Sequence, residues 1–241
     1  MNWIDVAGPP GCGKSSVCYT IWGDKSVGWD GQLPPAYWRQ FLDEITSLMR
    51  LVKDHPSFEA VVRMNDRSAK KMATVERMSE SITAPGQTPE ITYGKVASNS
   101  VFIQTGLVQR ILGFGWRLNV MGRDINLIRR ALWLMPVSVG VAFLEADLET
   151  ILARNRARET VKETAHENRS HQAPFMIEPI RIAKEVLRER GVPVAEIDVQ
   201  HQSIDDARSQ LLAFASQVAR YAPQIRHSCE NQILSRPPWW Q

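Results

Sequence analysis

Residues Gly8 to Ser15 read Gly-Pro-Pro-Gly-Cys-Gly-Lys-Ser and follow directly on an apolar run, Trp3-Ile4-Asp5-Val6-Ala7. The octapeptide fits G-x-x-x-x-G-K-[ST], a pattern that needs glycine because successive backbone N–H groups turn inward around an anion where a Cβ would obstruct them. A helix-compatible run, Lys14 to Trp22, follows it. Strand, anion-binding loop and helix in that order constrain the chain to an α/β fold in which the loop leaves the carboxyl end of a strand. The residue chemistry implies a nucleoside triphosphate, ATP, cradled by Gly8, Pro9, Pro10, Gly11, Cys12, Gly13, Lys14 and Ser15. Lys14 is expected to reach the β/γ-phosphates and Ser15 to ligate Mg²⁺ through its hydroxyl.

Further apolar, β-branched runs occur at Ser100–Gln104, Val137–Leu144 and Val192–Val199. Each is short and followed by a helix-like stretch, so a parallel sheet flanked by helices on both faces is expected. Helices are expected over Ala36–Lys53, Ser57–Ser81, Ile125–Met135, Leu148 to about Thr164, Phe175–Arg190 and Asp205–Tyr221. The first two fall in a long polar insertion, about residues 30–90, placed where an acceptor-binding subdomain would fit. The reading is one domain over 1–222 with that insertion and a lid at about 150–172, followed by a tail, 223–241. The tail is polar and Pro-rich and ends Arg236-Pro-Pro-Trp-Trp-Gln241; disorder is favoured over docking through its tryptophans. The chain's 241 residues, 44% hydrophobic, suffice for a sizeable core, and its formal charge of +3 neither demands nor excludes a polyanionic partner. Three cysteines form no paired framework, the N-terminus enters a strand at once and no apolar run approaches spanning length. A cytoplasmic protein with no membrane association is expected.

The second informative stretch is Phe143 to Arg158, a buried strand followed by a helix with Asp147 as N-cap. Arg154 and Arg158 lie one turn apart on one helical face, with Arg156 elsewhere. Arginines that close over a moving phosphoryl group stabilise its charge, and Arg169 lies where it would approach from the far side of the lid. His166 and His171 have no carboxylate or cysteine at metal-site spacing and read as exposed lid residues. The Ser100–Gln104 strand is expected beside the first, yet its exit, Gln104-Thr105-Gly106, carries no acid. Either Mg²⁺ relies on Ser15 and the phosphates, or Asp5, Asp30 or Glu145 supplies a carboxylate. Arg110, Trp116 and Arg117 follow this strand, where ligands of open parallel sheets bind; Trp116 serves either as a stacking platform or as packing.

The loop, the short-strand sheet, the inserted helical region and the arginines at 154 and 158 together resemble the small P-loop kinases of nucleosides and nucleotides, thymidylate kinase in particular. The resemblance covers about residues 1–215 and implies a P-loop kinase-like fold with an Arg-rich lid. It implies that Arg154 and Arg158 contact the transferred phosphoryl group. The Gln104-Thr105 exit departs from the family's acidic pattern, and Asp66-Arg67 matches the family's Asp-Arg pair only formally. The chain is also similar in size and architecture to the phage kinases that phosphorylate 5-hydroxymethyluracil within DNA during thymine hypermodification. Trp38, Arg39, Arg63, Arg67, Lys70 and Lys71 of the insertion supply the basic and aromatic residues a polymer cleft needs. The implied activity is ATP-dependent phosphoryl transfer to a hydroxyl of that modified DNA, in the host cytoplasm. Transfer to a free deoxynucleoside or its monophosphate is the nearest alternative. A P-loop NTPase motor or a non-catalytic nucleotide-binding partner protein is the further one.

Overall fold

The computed structural model describes residues 2–19, 35–55, 96–97, 100–104, 106–135, 139–159, 169–234 and 237–240. The chain forms β1 (Asn2–Ala7), α1 (Lys14–Tyr19), α2 (Pro35–Val52), β2 (Val96–Ala97), β3 (Ser100–Gln104) and α3 (Leu107–Val120). After a 3₁₀ turn at Ile125–Leu127 come α4 (Ile128–Leu134), β4 (Gly140–Glu145), α5 (Leu148–Glu159), α6 (Arg169–Glu189), β5 (Val194–Asp198), α7 (Ile204–Arg220) and α8 (Ala222–Leu234). Pro238–Trp240 closes the described chain as a second 3₁₀ turn.

The strands form one sheet in the order β2-β3-β1-β4-β5. β3, β1, β4 and β5 are mutually parallel, and β2 is a two-residue antiparallel edge on β3. The expected pairing of the first and second apolar runs is present, with Asp5 opposite Ile103 and Val6 opposite Gln104. β4 pairs on the other side of β1, so the chain runs from β1 to β3 on one side and then crosses to the opposite side for β4 and β5. In open α/β sheets that reversal opens a crevice at the carboxyl ends of the strands. The 8–15 loop departs from this edge. Ile4, Val6, Val141, Ala142, Phe143 and Leu144 are all buried, as strands covered on both faces require.

The helix over Leu107–Val120 is the helix-like stretch expected after the second strand, given bounds here that the sequence expectation lacks. The second of its glycines, Gly115, serves packing. A Cβ on Gly115 would lie 2.8 Å from Cβ of Pro179, so its absence lets α6 approach α3 closely. α6 in turn begins at Arg169 rather than at Phe175, running through Pro174 and Pro179. A proline removes the donor to the carbonyl four residues earlier. For Pro179 that carbonyl belongs to Phe175, and Asn119 Nδ2 donates to it at 3.2 Å.

The expectation of a disordered tail is corrected: Ala222–Leu234 is helical, and Ala222, Ile225 and Cys229 are buried. Beyond it, Trp239 stands edge-on to Trp133 of α4, ring centroids 5.6 Å apart, and its indole N–H donates to Glu189 at 3.0 Å. Arg130 covers the Trp240 ring at 5.4 Å and donates to the Trp240 carbonyl at 3.3 Å. The tryptophans supply the apolar area and indole donor that a merely polar tail lacks. Trp239→Ala should therefore destabilise the fold by about 2 kcal/mol, lowering the thermal midpoint by several degrees in a calorimetric scan. An unchanged midpoint would mean that the tail contributes nothing.

Candidate functional site

Between β1 and α1 the chain makes a compact loop. Gly11 and Gly13 adopt φ values of 91° and 94°, a backbone region closed in practice to residues with a Cβ. Pro9 and Pro10 carry no N–H, so the loop's donors are concentrated at positions 11 to 15; the Cys12 amide donates to the Pro9 carbonyl at 3.3 Å. Lys14 folds back across the loop. Its ammonium donates to the Gly8 carbonyl at 2.6 Å and the Pro9 carbonyl at 3.0 Å, and lies 3.6 Å from Cys12 Sγ. Three carbonyl and thiol contacts place a positive charge over the inside of a loop of backbone donors, which suits a polyanion. Ser15 is exposed in the first turn of α1, a hydroxyl oxygen of the kind Mg²⁺ accepts. The Cys12 thiol is fully buried and would meet a Cβ at position 8 at 2.8 Å, so it fills the underside of the loop, as a small filler should.

The loop rests on two amide side chains that the sequence reading passed over. Gln109, in the first turn of α3, accepts the Gly8 N–H at 3.0 Å through Oε1. Asn155 of α5 donates through Nδ2 to the Pro10 carbonyl at 3.0 Å and is 1% exposed. It packs so tightly that a Cβ on Gly11 would lie 2.6 Å from its Oδ1. The signal for Asn155 lies in the helix period: it falls four residues after buried Ile151, a polar residue on the buried face of α5. Nothing local marks Gln109.

Of the arginines, Arg154 donates to the Val199 carbonyl at the exit of β5, at 2.8 Å. Arg158 lies in the last turn of α5 and Arg169 opens α6, but their side chains are outside the described residues, as is the bend carrying His166. His171 is exposed. Asp147 caps α5 as expected, accepting the Thr150 amide at 2.7 Å. Its other oxygen accepts from Gln200 Nε2 at 2.5 Å, and Gln200 Oε1 accepts the Asp147 amide at 2.8 Å, joining α5 to the β5 exit. The backbone thus brings Arg154 and Asn155 to the same sheet edge as the loop, Asn155 against the loop and Arg154 against the next strand exit.

Trp116 and its neighbours pack inward. Trp116 is 7% exposed, stands edge-on to His55 and is covered by the Arg117 guanidinium at 4.6 Å, which leaves no face for a base. Arg117 also donates to the Gly113 carbonyl at 2.7 Å. Of the insertion's basic and aromatic residues, the side chains of Trp38 and Arg39 and all of Arg63, Arg67, Lys70 and Lys71 lie outside the described residues.

The three candidate acids divide. Asp30 is outside the described residues, as is the side chain of Gln104, whose backbone sits opposite Val6. Glu145 is held by an ion pair to Lys184, which also reaches Glu196 at 2.9 Å. Asp5 is fully buried beneath the first turn of α3, where a Cβ on Gly106 would clash with its Oδ1. Neither of its oxygens makes a full hydrogen bond to a described residue. Burial pushes its carboxyl up to about 7, against the opposing pull of the Arg110 guanidinium and the Val108 amide. Among the described residues no three His, Cys, Asp or Glu side chains cluster as a metal site, and no helix is long and apolar enough to cross a membrane.

Because the folded protein holds the Asp5 proton more tightly than the unfolded chain, stability falls as pH rises from about 4 to about 7, then levels. Asp5→Asn stays neutral throughout. The difference in thermal midpoint, variant minus parent, should therefore grow in favour of the variant across that window; a pH-independent difference would refute the assignment. Comparison with known proteins supplies no identity: no protein-family model and no curated protein matches the chain.

Proposed function

We propose that this chain is a P-loop kinase that binds ATP with Mg²⁺ at Gly8–Ser15 and transfers the γ-phosphoryl group to a hydroxyl of a nucleotide-like acceptor. The observation that carries the reading is the conformation of the loop itself: left-handed glycines at 11 and 13 with the Lys14 ammonium drawn over the Gly8 and Pro9 carbonyls, at the carboxyl end of the central strand. A buried loop of backbone donors with one lysine has little use except for a polyphosphate. Ser15 fits Mg²⁺, which keeps most of its water and needs few protein ligands. Ser15 would hold the metal through its hydroxyl, where the bound cation would supply positive charge against that of the triphosphate.

In this reading Lys14 shifts from the loop carbonyls toward the phosphates while retaining part of their hold. Arg154 and Arg158 would neutralise charge as the phosphoryl group moves, with Arg154 leaving the Val199 carbonyl to do so. Of the candidate acids, Glu145 is paired and Asp5 is sealed, so neither stands ready as a general base. An acceptor whose hydroxyl loses its proton late in a loose transition state needs none. The most specific acceptor we assign is 5-hydroxymethyluracil in phage DNA, on the likeness of the chain's size and architecture to those kinases.

The test is transfer of labelled γ-phosphate from ATP to DNA containing 5-hydroxymethyluracil, to unmodified DNA and to free dTMP. Label only in the modified DNA supports the assignment; label only in dTMP moves the acceptor to free nucleotides. Hydrolysis without a labelled acceptor would replace the kinase with an NTPase. Lys14→Ala should cut transfer by roughly 100-fold or more, as removal of a preorganised charge on the reacting phosphates does. Undiminished transfer would remove the loop from the mechanism.

A further inference from the structure

We infer that Gln109 and Asn155 form a two-point amide clamp that holds the 8–15 loop in its anion-binding shape before any ligand arrives, and that Asn155 ties that shape to the helix carrying the lid arginines. The inference deepens the kinase reading and rests on it for the ligand, though not for the clamp. Its two contacts have opposite chemical sense. At the start of the loop Gln109 offers an acceptor to the Gly8 N–H, and midway round Asn155 offers a donor to the Pro10 carbonyl, each at 3.0 Å. The two side chains come from different helices and stand 101 and 145 residues from their loop partners. Gly8 is buried as well as bonded, so loss of its partner would strand an amide away from water.

Asn155 does more than accept the load of one bond. Its amide occupies the space in which a Cβ of Gly11 would sit, so it also limits the excursions of a glycine at φ 91°. The residue before it, Arg154, is fixed to the Val199 carbonyl, and Asp147 at the head of α5 is locked to Gln200 in the same strand exit. α5 is therefore a short bar anchored at the β5 exit and touching the loop through Asn155. A helix movement that carries Arg154 toward a phosphate must move Asn155 against Pro10 and Gly11. Loop order and lid position then share one element, and preorganisation of the loop appears as ATP affinity.

Asn155→Asp tests this with one atom changed. At pH 8 a carboxylate faces the Pro10 carbonyl with no proton to donate; at low pH the protonated acid regains a donor. Titratable groups elsewhere, Asp5 among them, are controlled by measuring the parent protein at each pH. ATP affinity by calorimetry should fall about 10-fold at pH 8, the worth of one buried hydrogen bond, and return to within about 3-fold of the parent near pH 5.5. Gln109→Met, which keeps the shape and loses the acceptor, should lose a similar factor with no recovery at low pH.

A second readout needs no nucleotide: hydrogen exchange of the Gly11–Ser15 amides, corrected for intrinsic rates, should quicken in Asn155→Asp at pH 8 and slow again at pH 5.5. A circular-dichroism melt on each variant establishes that it is folded. Unchanged loop protection and affinity in folded Asn155→Asp at pH 8, or a loss that low pH does not reverse, would overturn the clamp. A parent protein that binds no ATP but shows the exchange pattern would instead overturn the kinase reading and leave the clamp standing.

Discussion

β1 is bonded to β3 on one side and to β4 on the other, and this double pairing fixes the point from which the 8–15 loop departs. A strand with free edges lets its end drift; one held on both sides delivers Ala7 to a set place and leaves the next residues to turn there. The loop's left-handed glycines, the reach of Lys14 back to Gly8, and the contacts of Gln109 and Asn155 all presuppose that fixed departure. The reversal of connection direction at β1 then opens the space above it.

The interior is more polar than a sheet core needs to be. Asp5, Arg117, Asn155 and Arg190 are all buried. Desolvation of this kind costs free energy unless bonding restores it. Asn155 and Arg117 recover it through carbonyls of the loop and of α3. Arg190 donates to the Leu132 carbonyl, while burial still pushes its guanidinium down to about 10. Asp5 recovers least, and its carboxyl responds by holding a proton near neutrality. Asp5 beneath the head of α3 and Asn155 against the glycine-rich loop are the local departures from an ideal core that functional sites display.

What the sequence made legible follows from the range of the forces involved. The runs at Trp3–Ala7 and Ser100–Gln104 were readable as strands because their apolar character and flanking turns are local, and the loop because its backbone demands are met within eight residues. The extent of α3 was not readable. Gly113 and Gly115 lower helix propensity, and the contact with Pro179 that explains the second is made only in the folded chain. The start of α6 was hidden likewise, because Pro174 stands between Arg169 and the expected start at Phe175, and a proline reads as a helix boundary. Of the site, the residues in the motif were visible, whereas Gln109 and Asn155 reach it across more than a hundred residues. The arginines at 154 and 158 were visible as a spacing, but where a guanidinium points depends on β5, which comes later in the chain.

The docked tryptophans carry a consequence for synthesis. Trp133 on α4 acquires its aromatic neighbour from Trp239, and Arg130 bonds a carbonyl 110 residues further on. A chain emerging from the ribosome completes β1, its loop and the strands beside it while that aromatic face of α4 still lacks its cover. That cover arrives only with Trp239 and Trp240, so a chain cut or stalled before residue 239 would present the Trp133 surface to chaperones, and one that has passed it would conceal that surface.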